Sequence, residues 1–309
     1  MSPLDHIRRF RARDWDPIHI LRVVLTVLGK ALSRLWGRDV MLYTGGVSFF
    51  IMLAIFPAIA IIMGLYGLLA DPEQVAEQGE AMARIMPDAA RLIFQNELIR
   101  LSQAPVAVSF QSGMALLIGG YASHRGFKAL LAGLSFIHDE DNPRGFLSFN
   151  LLALAVLLAA IAALGVLSTV FFGFRILGET FELRPLRGAP WLYSEWTWAS
   201  AGMVAGMTLI YRWAMSREPV DWRASVLGGV AAAALCIFAS WALGFYVEKI
   251  AELGATYGSV ATVVIFLIWL SWNVNALFFG GALATEVEVA LHSRRVPFAS
   301  VRPTEDLRA

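Results

Sequence analysis

Long apolar stretches broken by short polar segments set the pattern of this chain. No charged residue occurs from Leu42 to Ala70, and Asp71 ends the run. Comparable runs fall at about 146–174, 196–215, 224–247 and 257–285. A shorter one at about 105–123 carries Ser109, Gln111 and Ser112. A helix needs roughly 20 residues to cross a hydrocarbon core of about 30 Å. The pattern predicts an all-α, polytopic membrane protein with six transmembrane helices in a domain over 42–285. Pro57, near the middle of the first span, predicts a kink, because it lacks an N–H and crowds the preceding turn.

The segments outside the spans have their own periodicity. Ile18, Leu21, Leu25, Leu28, Leu32 and Leu35 repeat at helical spacing, with Arg22, Lys30 and Arg34 on another side. This predicts an amphipathic helix in the N-terminal segment 1–41, started by Asp16 and Pro17. Its leucine stripe fits the membrane surface and the protein's own bundle equally well. Residues 73–85 and 88–103 predict two further amphipathic interfacial helices. Residues 124–145 read as a polar connection, a helix followed by an acidic turn at Asp139, Glu140 and Asp141. A polar tail occupies 286–309.

Charge then orients the chain. Taken in alternate order, segments 1–41, 124–146, 216–223 and 286–309 hold seventeen Lys and Arg, against seven in 71–104, 173–195 and 248–256. Basic residues concentrate on the cytoplasmic side. The expected topology has both termini cytoplasmic. The near-neutral net charge of +1 thus conceals two faces of opposite sign.

Composition narrows the function classes. Hydrophobic residues are 58% and charged residues 16%, against about 45–50% and about 25% in soluble domains. The lone Cys236 excludes a disulfide scaffold. The start lacks an early apolar run, so no cleavable signal peptide is expected. None of the five histidines forms a metal-binding spacing, and there is no phosphate loop or nucleophile elbow. The expectation is a protein that is not an enzyme, with no cofactor, no metal and no nucleic-acid partner. Its partners would be membrane lipids, a lipid or amphiphilic substrate and, in one arrangement, a second copy.

Few polar groups enter the spans. Arg212 stands near the cytoplasmic end of the fourth, where it can snorkel to headgroups or meet a substrate. Asn273 and Asn275 in the sixth point to different faces and suit interhelical hydrogen bonds or a ligand. Four glycine pairs, Gly45-Gly46, Gly119-Gly120, Gly228-Gly229 and Gly280-Gly281, fall in the cytoplasmic third of their predicted spans. They predict close helix contacts there.

Several segments together resemble the YihY/BrkB family of bacterial inner-membrane proteins, once labelled ribonuclease BN. GGVSFFIMLAIFP is similar to the family's first span. YASHRGFKALLAGLSFIHDEDNPRGF resembles its cytoplasmic connection, with Ser123, Arg125, Ala129, Leu130 and Arg144 at matching places. LIYRW and the Tyr257-Gly258-Ser259 entry to the last span complete the likeness over about residues 30–290. Ala282 and Ala284 stand where the family usually has Glu and Asn, while Glu286 and Glu288 remain. The resemblance implies six helices and an envelope role, with lipid or amphiphile transport as the leading activity. The candidate substrate-path or structural residues are Arg212, Asn273, Asn275, Arg125, Tyr257, Ser259 and Glu286. A non-transporting scaffold and a small-solute transporter or channel are the alternatives. Ribonuclease chemistry finds no support in these residues.

Overall fold

The structure, a computed structural model, describes residues 17–36, 40–69, 91, 95, 110–139, 144–180, 194–249 and 261–295. The expected helices over 73–85 and 88–103, the Tyr257-Gly258-Ser259 motif and the C-terminal tail lie outside this set, apart from single residues of the second helix. Among the described residues there are seven helices and no strand. They are α1 (Pro17–Trp36), α2 (Val40–Leu69), α3 (Phe110–Ile137), α4 (Phe146–Thr180), α5 (Glu195–Trp213), α6 (Trp222–Lys249) and α7 (Ala261–Arg295).

By length and composition, α4 from Phe146 to Val170, α6 to Val247 and α7 to His292 can each cross a membrane. Leu21–Trp36 with Val40–Ile55 would make a fourth span if taken together, but the pair is bent by 71°. The exterior explains why such helices need lipid. On α4, Leu147, Leu151, Leu154, Leu158, Ile161 and Leu164 are all exposed. An apolar surface this continuous is foreign to a water-soluble monomer.

The predicted connection at 124–145 turns out to be largely helix continuous with the second span. α3 runs unbroken through His124, Arg125 and Lys128 to Ile137. No glycine or proline stop precedes Asp139, which adopts a left-handed φ of 58° just beyond the helix. Asp tolerates that conformation better than most non-glycine residues. The correction moves Gly119 and Gly120. At 1.5 Å per residue they lie about 27 Å from the Ile137 end, not beside the other glycine pairs.

What α3 does along its length follows from a seven-residue repeat. A Cβ added at Gly119 or Gly126 would meet Pro57 or Phe50, and one at Gly133 would meet Tyr43 at 3.1 Å as well as the Phe278 ring of α7 at 2.6 Å. Both sets step by seven in opposite directions, so α2 and α3 are antiparallel and in register. Each large residue of α2 seats over a glycine of α3, as small residues allow between helices in lipid. Pro57 thus has a packing partner, and α2 continues through it to Leu69.

A second close contact joins α6 and α7. A Cβ at Gly228 would stand 2.5 Å from Gly280 O, and one at Gly280 would stand 2.6 Å from Gly228 O. The backbones therefore touch. Tyr211 of α5 is fully buried beside them and donates to Leu277 O at 2.6 Å. Polar side chains form a seam between α2 and α7. Thr44 donates to Asn275 Oδ1 at 2.9 Å, and one turn further Ser271 reaches Ser48 at 3.4 Å. Gly45 and Gly120 meet nothing within 4 Å, so the expected clustering of all four pairs at one end does not occur.

The adjacent glycines of α3 give a clean contrast. Gly119→Ala places a methyl 2.3 Å from Pro57 Cβ and should cost about 1–3 kcal/mol. Gly120→Ala meets open space and should change stability by no more than about 1 kcal/mol, in the stabilising direction. Thermal unfolding of the purified protein in detergent reads both. Equal effects would contradict the register.

Candidate functional site

Two polar regions stand out against the apolar bundle. The first closes one end. The C-terminal turn of α1 brings Arg34 to α7, where its Nε donates to Glu286. Its Nη1 donates to Ile137 O at 2.9 Å and to Asp139 Oδ2 at 2.7 Å. The Glu286 side chain is only 8% exposed. Burial alone would lower the pKa of Arg34, but the hydrogen bonds and charges of Glu286 and Asp139 outweigh it and hold the value above normal. One guanidinium therefore ties α1, the end of α3 and α7 together.

Neighbouring groups complete this end. His138 Nδ1 lies 3.0 Å from Thr285 Oγ1. Glu288 accepts from the Asp221 backbone N–H at 2.8 Å. Asp221 in turn caps α6, accepting from the Arg223 N–H at 2.9 Å. Arg144 donates to the carbonyls of Trp213, Ala214 and Ser216, the first two of which stand at the C-terminal end of α5, where carbonyls lack helical partners. Arg212 donates to Val220 O at 2.7 Å, with its guanidinium 4.8 Å from the Trp222 ring centre and 5.8 Å from that of Trp213. Described parts of all four basic segments thus meet at one end of the bundle.

The second region lies partway along α3. Arg125 is exposed, with its guanidinium 5.4 Å from the Phe50 ring centre and 6.0 Å from that of Tyr121. Lys128, one turn on, reaches over Phe146 at 5.5 Å. Neither has an acidic partner among the described residues. Arg125 lies about 18 Å from the Ile137 end at helical rise. Exposed apolar residues flank it on both sides, Ile118 and Phe136 on α3 and Phe49 and Leu53 on α2. Among the described residues no group of three His, Cys, Asp or Glu side chains is placed to hold a metal ion.

The family model described as Virulence factor BrkB matches residues 31–303. The chain belongs to the BrkB family. Among curated relatives, a UPF0761 membrane protein of Rhodospirillum centenum is 23% identical over 90% of this chain and 59% of its own length. One from Actinobacillus pleuropneumoniae is 23% identical over 84% of this chain and 93% of its own. One from Paraburkholderia xenovorans is 37% identical, over 26% of this chain and 20% of its own length. A Bacillus subtilis relative, 23% identical over 57% of this chain and 63% of its own, carries the name ribonuclease-like protein YfkH. The chain thus spans less than two thirds of the length of several curated relatives it matches. No solved structure matches it.

On this BrkB chain the sequence-derived candidates separate. Glu286 and Arg212 lie at the polar end, each bound by protein groups. Asn275 serves the α2–α7 seam. Asn273 donates to Trp269 O of its own helix at 2.8 Å. Arg125 stands apart from all of them, and Tyr257 and Ser259 lie outside the described residues. Sequence reasoning missed two groups. In sequence Arg34 is one basic residue on a polar helix side, and its distant partners give no local signal. Lys128 falls in the segment read as a polar connection outside the spans, a helix followed by an acidic turn. Its spacing of three from Arg125 would have placed both on one face, had the helix been extended.

The α1 clasp has a measurable energy. Arg34→Ala leaves the Glu286 carboxylate buried without its cation and should cost about 3–5 kcal/mol. Adding Glu286→Gln to Arg34→Ala should recover a large part of that loss. A double-mutant cycle by thermal or denaturant unfolding checks it, and additive effects would contradict the clasp.

Proposed function

We propose that this BrkB-family chain is a six-span inner-membrane protein, both termini cytoplasmic, that moves a lipid or other amphiphile and carries out no catalytic step. The observation that supports transport of an amphiphile is Arg125. It is an exposed cation on an apolar, aromatic helix face, well away from the polar end of the bundle. Charge in hydrocarbon is costly and marks substrate pathways. A substrate with an acyl chain tolerates the surrounding leucines and phenylalanines, while its polar head needs such a group.

The topology has separate support. Described parts of the four segments assigned to the inside meet at one end of the bundle, and without Arg125 and Lys128 those segments still hold fifteen Lys and Arg against seven in the others, as the positive-inside rule requires of one membrane side. That end also presents Trp36, Trp213 and Trp222, all exposed, in the manner of interfacial anchors. The second span is then best drawn as the part of α3 that ends near Ile137, not as 105–123. The exposed Leu21, Leu25, Leu28 and Leu32 of α1, on a helix bent away from α2, suit a position in the membrane surface. They also offer a docking face, which keeps a scaffold role as the second reading.

Reconstitution of the purified protein into vesicles tests the proposal. Fluorescent lipids should exchange between leaflets faster than in protein-free vesicles. Arg125→Ala should slow that exchange roughly tenfold, as expected from losing a charged hydrogen-bonding group. No acceleration for any lipid class would overturn transport and leave the scaffold reading.

A further inference from the structure

At the polar end Arg34, Arg144 and Arg212 are bonded by protein oxygens, whereas Arg125 and Lys128 on the flank have aromatic faces and no acidic partner among the described residues. Arg125 and Lys128 are three residues apart on α3, which puts them on neighbouring positions of one helix face. Tyr121 lies one turn before Arg125, on the same face and exposed. His124, between them in the chain, has a buried Nδ1 without a hydrogen-bond partner among the described residues. Orphaned polar atoms of this kind are uncommon in folded proteins. Four hydrogen-bonding groups thus share one helical turn and its neighbour, framed by exposed Ile118 and Phe136 along α3 and by Phe49 and Leu53 on α2.

The spacing along the helix adds direction. Lys128 reaches Phe146 at the start of α4, and Arg144 stands two residues before that phenylalanine. Arg125, Lys128 and Arg144 therefore form a series running from the middle of the flank to the polar end. Aromatic faces hold the first two cations in place without neutralising them, since a ring quadrupole attracts a cation but carries no net charge. A site that is cationic, without a counter-charge among the described residues and bordered by apolar surface calls for an anion carried on an apolar body.

We infer that Arg125 and Lys128 form a binding site for the phosphate group of an anionic amphiphile, with Tyr121 and His124 as further hydrogen-bonding groups. This rests on the transport reading above and names its substrate class. Arg125 offers a planar fork of donors that matches two phosphate oxygens. Lys128 supplies a second charge on a flexible stem, placed to receive the head as it leaves or enters the polar end. The acyl chains stay against the exposed leucines and phenylalanines of α2 and α3. The head crosses the apolar zone beside α3 while the tails remain in lipid.

Direct binding tests this apart from transport. Purified full-length protein in neutral detergent is titrated with short-chain phosphatidylglycerol, phosphatidic acid, phosphatidylcholine and inorganic phosphate, and occupancy is read by native mass spectrometry. The two anionic lipids should bind more tightly than phosphatidylcholine. The double variant Arg125→Gln with Lys128→Gln should weaken anionic-lipid binding at least about tenfold, as loss of charged hydrogen bonds implies. Arg125→Lys should retain part of it. Arg22→Gln, which removes a cation from the exposed face of α1, should leave it unchanged. Thermal midpoints near wild type confirm that the variants fold.

Competition by inorganic phosphate that vanishes in the double variant assigns the site to phosphate in any form. Indifference to inorganic phosphate assigns it to the lipid-borne group, and both results uphold the anion site. Equal binding of phosphatidylcholine, or unaltered anionic-lipid binding in the double variant, overturns it. Binding without lipid exchange in vesicles would sink the transport reading and keep the site. Exchange without binding that depends on Arg125 would do the reverse.

Discussion

A charge that faces hydrocarbon or a buried core must find a partner, and this requirement organises the polar chemistry of the bundle. Arg34 meets it through Glu286, Asp139 and a helix-end carbonyl. Arg144 meets it through the last carbonyls of α5, and Arg212 through Val220 O and two tryptophan faces. Thr44 with Asn275 meets it for neutral groups inside the bundle. Each of these groups is explained by its protein partners. Arg125 and Lys128 have aromatic faces for neighbours and no counter-charge among the described residues. The functional reading follows from that difference.

The same requirement shapes the helix contacts. Lipid offers little hydrophobic drive for helices to associate, so close packing and backbone proximity carry the load. The pairs of Tyr43, Phe50 and Pro57 with Gly133, Gly126 and Gly119 serve that end along the whole α2–α3 contact. Gly228 against Gly280 does so between α6 and α7, with Tyr211 bonded across them. α4 is the contrasting case. Its Phe149, Leu152, Ala153 and Val156 pack with Leu131 and Ala214, and Leu147, Leu151, Leu154, Leu158, Ile161 and Leu164 remain exposed.

Much of the helical layout was legible in the amino-acid order, because long uncharged runs and helical periodicity are local signals. The start of α4 at Phe146 and the apolar stretches of α6 and α7 fall where the runs place them. The extent of α3 was not legible in that way. His124, Arg125 and Lys128 lower its mean hydropathy, yet nothing in them breaks a helix, so polarity was mistaken for a boundary. The glycine repeat at 119, 126 and 133 was present in the sequence but spanned that supposed boundary. Arg34 with Glu286 joins residues 252 positions apart, which no single sequence displays. The family likeness was legible through order and spacing of motifs, and it says less about Lys128 than the helix geometry does.

An anion site on the flank requires α3 to face lipid where Arg125 sits. Site-directed spin labelling measures that directly, with Ile118→Cys, Tyr121→Cys and Arg223→Cys in turn on a Cys236→Ser background. In reconstituted vesicles, labels at 118 and 121 should be accessible to oxygen and shielded from a water-soluble nickel complex, while the label at 223 should show the opposite. Nickel accessibility at 118 and 121 equal to that at 223 would place this face of α3 in water and contradict the account.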